Sequence, residues 1–299
     1  MELLENFDID SFLRVAWITK EAKEQWADTL PQINQFIQEL EVTSVVEGHR
    51  RCTWQTVDTA ELIRYTKDWE KKGLYSIPIH QTGQFEGFAH RHAPIIKGKP
   101  TNTCVILAKT LEDCKAFRKA FETDDNFTQG QLLGYPDCCS KFFCDVWAKG
   151  YYDPIWQAVE NTSEEIVTMS DNGRKVRIKG HPLSNAILRY LGLRVCFHIP
   201  CAFDCKESIR TATERLELSR KMQPDLTKLL EALMHMPHSW DCYHGIAVVR
   251  SPIFYAITSS VPCKERHVVE IEGGFIPKEA RRGIGFPFDL VEKEEEKDA

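Results

Sequence analysis

The stretch Gly245-Ile246-Ala247-Val248-Val249-Arg250-Ser251-Pro252-Ile253-Phe254-Tyr255-Ala256-Ile257-Thr258 turns the chain from helical to extended patterning. β-Branched and aromatic side chains dominate it and Ser251-Pro252 interrupts it, so 246–250 and 253–258 read as short strands. Residues 267–272 repeat the pattern, and the three predict a small antiparallel sheet. Upstream stand helical patterns at about 136–149, 204–222 and 225–236, with a short helix over 183–191 ended by Gly192 and a strand at 175–179. Helices and strands come in blocks, which makes the fold class α+β, with mixed helices and small, largely antiparallel sheets.

The N-terminal third alternates more. Residues 19–41 read as a helix pair broken at Pro31, and 42–47 and 51–55 as short strands. Asp58 caps a helix that runs through Trp69 and stops at Gly73. Residues 74–80 are extended, and 82–100 are loop-rich. A strand at 104–108 feeds a helix opened by Thr110 and Asp113, with Leu111, Cys114, Phe117 and Phe121 at helical intervals. That strand-to-helix step predicts an α/β layer. The polar run 122–131 reads as a linker, dividing an N-terminal α/β region (1–125) from a cysteine-motif region (126–291) and a charged, disordered tail (292–299).

Lys and Arg total 38 against 44 Asp and Glu, a net charge of −6. Nothing in that balance favours nucleic acid. The start, Met1 to Asn6, has neither the basic nor the apolar region of a secretory signal, and no apolar run approaches the roughly 18 residues of a membrane span. With eleven cysteines, the expectation is a cytoplasmic protein whose thiols stay reduced and either bind metal, do chemistry or pack. The odd number argues against a complete disulfide framework.

Two motifs concentrate the chemistry. In Gly134-Tyr135-Pro136-Asp137-Cys138-Cys139-Ser140-Lys141-Phe142-Phe143, glycine permits a sharp turn and proline suits the first helical position. Cys138 and Cys139 then fall at about the third and fourth positions, where free N–H groups and the helix dipole favour thiolate. In His198-Ile199-Pro200-Cys201-Ala202-Phe203-Asp204-Cys205-Lys206-Glu207, Asp204 and Glu207 form a capping pattern that puts Cys205 at a helix start and Cys201 in the loop before it. Joined, the two starts offer four thiolates, with His198 and His181 as further ligands.

The Cys201/Cys205 spacing suits zinc. Cys138-Cys139 does not, since adjacent helical side chains diverge by about 100°. Neighbouring thiolates reach separate corners of a larger object, so an iron–sulfur cluster of the 4Fe-4S type leads and zinc is the alternative. If only one of the adjacent pair is a ligand, one iron is open and the spare thiol stands beside it. Tyr135 and Asp137 flank the pair and are placed to exchange protons, although Asp137 is equally explained as a first-turn acid. Cys52, Cys104, Cys114, Cys144, Cys196 and Cys263 read as packing residues.

These motifs resemble a prokaryotic family with a domain of unknown function, marked by G-Y-P-x-C-C and H-x-P-C-x-F-x-C. Residues 237–250, with His244-Gly245-Ile246-Ala247, and the Gly283–Phe288 turn are similar too, so the likeness spans roughly 102–290. It implies the same site residues and no particular reaction.

Three lesser candidates remain. His90-Arg91-His92 with His80 could form a two-histidine metal site, although loop histidines are usually solvated. His238-Ser239-Trp240-Asp241-Cys242-Tyr243-His244 reads as a loop walling the site, with Cys242 and His244 as a nucleophile–base pair. Gly283-Ile284-Gly285 with Arg281-Arg282 offers weak anion contacts. Taken together, the expectation is an iron–sulfur enzyme activating a small-molecule or nucleobase-like substrate, with Cys139, Asp137 and His244 catalytic. Cys138, Cys139, Cys201, Cys205 and His198 hold the metal. No C-x₃-C-x₂-C arrangement of the radical S-adenosylmethionine kind is present. The rivals are a zinc-stabilised, non-enzymatic binding module and a metal-free cysteine nucleophile. A homo-oligomer is compatible with either.

Overall fold

Thr19 turns the chain from strand β1 (Val15–Trp17) into helix α1 (Lys20–Trp26), its hydroxyl accepting the Ala22 N–H at 2.9 Å. A computed structural model describes residues 15–84, 94–150, 153–259, 263 and 265–280. Helix α2 (Thr29–Val46) follows, with Pro31 in its first turn, where a missing N–H leaves no bond unmade. The expected helix pair is present, but its break falls at Ala27 and Asp28. Residues 42–46 are not a strand and complete α2. Val42 and Val45 bury against Val57, Trp69, Val105 and Leu107. That packing outweighs the roughly 0.5 kcal/mol by which each β-branched residue disfavours helix.

Strands β2 (Cys52–Asp58), β3 (Tyr75–Gly83) and β4 (Thr101–Ala108) form an antiparallel sheet in the order β2-β4-β3. Asp58 caps the turn into α3 (Leu62–Lys71), accepting the Ala60 N–H at 2.8 Å. Thr110 caps α4 (Leu111–Glu122) through the Asp113 N–H at 3.1 Å. Residues 122–131 are structured rather than a linker. Asp125 accepts the Thr128 N–H at 3.0 Å and opens α5 (Asn126–Leu132), whose Leu132 packs with Phe117 and Ile106. Helices α2 and α3 thus cover one face of this sheet, and α4 and α5 the other.

The second sheet is larger than the patterning predicts. It takes in β5 (Val167–Ser170), β6 (Lys175–Ile178), β7 (His238–Tyr243), β8 (Ile246–Arg250), β9 (Phe254–Ser259) and β10 (His267–Ile271), in the order β1-β9-β8-β7-β10-β6-β5. Every neighbouring pair is antiparallel except β6–β10, where Val176 lies beside Val269. Strand β7 is the segment read as a loop. Its residues alternate between apolar Trp240 and Cys242, in the core, and Ser239 and Asp241 on the opposite face. There Arg250 and Arg266 hold the Asp241 carboxylate at 2.9 and 2.7 Å, and a strand buried on both faces loses its exposed–buried contrast. His244 (φ +51°) and Gly245 (φ +81°) form the two-residue turn into β8.

Helices α6 (Asp137–Asp145), α7 (Pro154–Glu160), α8 (Lys206–Met222) and α9 (Pro224–His235) complete the chain. Helix α6 is shorter than the expected 136–149, and 183–191 holds two short 3₁₀ turns ended by Gly192 (φ +78°). Leu30, Ile33, Ile37 and Leu40 of α2 join Leu216, Leu230, Trp240, Val249, Phe254 and Val269 in one core. One helix therefore serves both sheets. Among the described residues, no helix is long and apolar enough to cross a membrane.

Gly273, just past the end of β10, packs against the α9–β7 junction, and a Cβ there would overlap the Pro237 nitrogen and the Met236 carbonyl carbon. Both are backbone atoms that cannot swing aside. Gly273→Ala is expected to cost about 2 kcal/mol or more in urea unfolding. A loss under about 0.5 kcal/mol would show that the junction is looser than this.

Candidate metal centre

Helix α5 ends in a turn that only glycine makes easily. Gly134 has φ +69°, and a Cβ there would approach Arg50 Cβ at 3.0 Å. Pro136 is the cap of α6 and not its first residue, since its carbonyl accepts the Cys139 and Ser140 N–H groups at 3.0 and 2.8 Å. Cys138 and Cys139 are therefore the second and third helical residues, one place earlier than expected. No preceding turn crowds side chains there, so neighbours can converge.

The second motif arrives by a different route from the one predicted. Cys205 itself caps α8, its carbonyl accepting the Ile209 N–H at 3.0 Å. Asp204 and Glu207 do not form a capping pair. Asp204 accepts the Ser163 N–H at 3.3 Å, and Glu207 pairs with Arg210 at 3.0 Å. The end of α7 pins the loop: Asn161 donates to the Cys201 carbonyl at 3.1 Å, and Thr162 accepts the Phe203 N–H at 2.9 Å.

Four sulfurs meet as a result. Cys138 Sγ lies 3.8 Å from Cys139 Sγ and 3.8 Å from Cys205 Sγ, and Cys139 Sγ lies 3.7 Å from Cys205 Sγ. With Cys201 included, all four lie within 4.8 Å of one another, a group able to hold a metal ion. Cys138 is exposed, Cys201 half-buried, and Cys139 and Cys205 buried. Cys139 Sγ also accepts the Cys201 N–H at 3.4 Å and contacts Ser208 Oγ at 3.2 Å.

Without a cation, such a group tolerates little negative charge. Cys205 takes it: hydrogen bonds from Cys139 and Cys201 hold its thiol far below the usual range, against the cost of burial. Cys139 moves far upward through its bonds to Cys201 and Cys205 and through burial. Cys201 is pushed up to about 12: a bond from Cys139 favours its thiolate, but the bond to Cys205, burial and the charge on Cys205 outweigh it. Cys138 rises through burial and the Cys205 charge. A bound cation would remove this order, because every coordinated thiol gives up its proton.

The remaining sequence candidates are placed as follows. His198 is buried one step behind the sulfurs, with Nε2 2.8 Å from Ser208 Oγ. Burial, and next the charge of Arg215, hold its pKa well below normal, so it is neutral. His181 accepts the Leu183 N–H at 3.2 Å and stands outside the group. Asp137 is exposed beside Cys138. His244 is at the exposed tip of the β7–β8 hairpin, against Tyr243. Cys242 is buried, 3.5 Å from Cys263 Sγ. His80 stacks on Phe121. Residues 85–93 and 281–299, with the other histidine and glycine candidates and the tail, lie outside the described residues. Cys52, at about 12, and Cys114, at about 11, are buried thiols held protonated chiefly by desolvation.

Patterning missed two things. Ser208 was legible, because three residues past Cys205 its hydroxyl returns over the helix start. A cavity of about 390 Å³ was not. Cys139, Ser140, Tyr135, His198, Arg189 and Arg194 contribute to its wall, and they come from segments with no shared pattern.

Exposure and acidity are split between different cysteines, which predicts an order of alkylation in metal-free protein. Cys138, exposed, should react at least about tenfold faster than Cys139, which is buried and held protonated, and metal loading should protect both, as read by mass spectrometry of iodoacetamide-treated samples. Fast labelling of Cys139 ahead of Cys138 would contradict the packing described. Comparison with protein-family models, with curated proteins and with solved structures finds no match to the chain.

Proposed function

We propose that the chain is a zinc-stabilised binding protein. Cys138, Cys139, Cys201 and Cys205 close one tetrahedral shell that staples the starts of α6 and α8 and fixes a wall of a small-molecule cavity. The observation that carries this is the sulfur spacing. A zinc ion with four thiolates at about 2.3 Å sets its sulfurs about 3.8 Å apart; three pairs stand at 3.7–3.8 Å, and all four sulfurs lie within 4.8 Å of one another. Four sulfur ligands leave no open position, the mark of a structural rather than a catalytic ion. The Cys201 N–H and the Ser208 hydroxyl, both on Cys139, supply the outer contacts that orient a ligand and moderate its charge.

The iron–sulfur enzyme is the second reading, and one observation favours it: Cys138 is exposed beside an exposed acid, Asp137, so one corner is reachable from solvent. A 4Fe-4S core gives each thiolate its own iron and spreads the sulfurs well beyond a single ion's shell, so this reading needs the two helix starts to move apart.

Metal analysis and an absorption spectrum of anaerobically purified protein separate the two. The expected result is one zinc per chain and no visible absorption. Cys201→Ser and Cys205→Ser should each lower retained zinc at least about tenfold and reduce thermal stability. A brown protein with acid-labile sulfide would replace zinc by the cluster, and protein free of zinc, iron and sulfide would remove both readings.

A further inference from the structure

Four guanidinium groups gather around the cavity. Arg189 and Arg194 line it. Arg50 and Arg215, each only 6% exposed, flank Phe197 of its wall, with guanidinium carbons 5.3 and 4.3 Å from the ring centroid. Among the described residues only one carboxylate pairs with any of them: Glu41 meets Arg194. Arg50 gives its Nε–H to the Cys52 carbonyl at 2.7 Å. That leaves Arg50 Nη1, Arg215 Nη1 and Arg194 Nε buried, with no acceptor among the described groups, and Arg189 with the ring and hydroxyl of Tyr190 beside its guanidinium but no carboxylate. Ser140 Oγ, 2% exposed and also in the cavity wall, is likewise unpartnered.

Buried charge in such excess is strongly disfavoured unless something neutralises it. The Phe197 ring offsets part through its face. A zinc tetrathiolate, with two net negative charges, would offset more. Neither supplies a hydrogen-bond acceptor to the idle N–H groups of Arg50, Arg194 and Arg215. Arg215 registers the shortage, its pKa drawn down to about 10 by burial and then by Arg50. The wall also carries the aromatic side chains of Trp54, Phe117, Phe143 and Trp147, with the amides of Asn126 and Gln129 and the Glu41 carboxylate that Arg194 engages, and the volume suits a compact metabolite.

We propose that this cavity binds a small organic anion, a carboxylate or phosphate monoester on a flat apolar body, with Arg189 and Arg194 receiving the anionic head and the aromatic side chains the body. Guanidinium forks match both head groups. The inference rests on the reading of the cavity as a ligand site but not on which metal the sulfurs hold.

Titration calorimetry on the full-length, metal-loaded protein tests it, with phenyl phosphate, benzoate and benzyl alcohol as probes at constant ionic strength. At least one anion should bind once per chain and benzyl alcohol should not, and the tighter of the two identifies the head group. Arg189→Met should weaken that anion about tenfold or more with zinc content unchanged, and Arg189→Lys, which keeps the charge but not the fork, should fall between. If Arg189→Met fails to fold, Arg189→Lys carries the comparison. Benzyl alcohol binding as tightly as the anions, wild-type affinity in the arginine variants, or no heat from either anion at millimolar concentration would each overturn the proposal. Retained zinc without anion binding defeats this inference alone, and anion binding by protein without zinc defeats the zinc reading alone.

Discussion

Cysteine sulfurs from two chain segments more than sixty residues apart come together where two helices begin, and they repel one another as soon as more than one is ionised. At 3.8 Å, two thiolates oppose each other by about 4 kcal/mol at an effective dielectric constant of about 20. The free N–H groups at the starts of α6 and α8 soften this but do not cancel it. Metal-free, the group therefore carries its charge on Cys205 and keeps its other protons. The surrounding chain is built to hold that contact: the Gly134 turn, the Pro136 cap and the bonds from Asn161 and Thr162 each fix one approach to it.

Helix α2 sets what lies beside the centre. Its middle faces the seven-stranded sheet and its end the three-stranded one, so Glu41, near the change of partner, sits at the cavity. Trp54 from β2, Phe117 from α4 and Ser140 from α6 reach the same space. The wall is thus assembled from elements that belong to different layers, and its arginines are contributed one at a time from residues 50 to 215.

Local chemistry was legible in the sequence wherever a single side chain decides the backbone. Thr110 and Asp58 act as caps, Gly192 ends its turn, and the two cysteine motifs lie at helix starts that meet. The failures share a cause, which is that the deciding contact lies far along the chain. Residues 42–46 have strand-like side chains and become helix because β2 and β4 bury them there. Residues 238–243 look like a loop because ion pairs to Arg250 and Arg266 allow a polar residue in a central strand. The 100° divergence of Cys138 and Cys139 sets their Cα–Cβ bonds apart, but with no preceding turn to restrict χ1 the two sulfurs still close to 3.8 Å. Nothing local marks the arginine cluster.

Ser208 joins the centre to the cavity in a way that fixes proton positions. With Cys139 as a metal thiolate, its sulfur accepts only, so the Ser208 hydroxyl must donate to it across 3.2 Å. The same oxygen is then free to accept from His198 Nε2 at 2.8 Å, which places the single proton of that neutral imidazole on Nε2. Cys196 Sγ lies alongside the ring, 3.4 Å from Nε2 and 3.6 Å from Nδ1, and Cys196, its pKa pushed up to about 11 by burial, keeps a proton that only the unprotonated Nδ1 can accept. The ring of His198 is part of the cavity wall. With metal bound, its tautomer, and hence the polarity it presents there, would therefore follow the charge on a sulfur outside its hydrogen bonds.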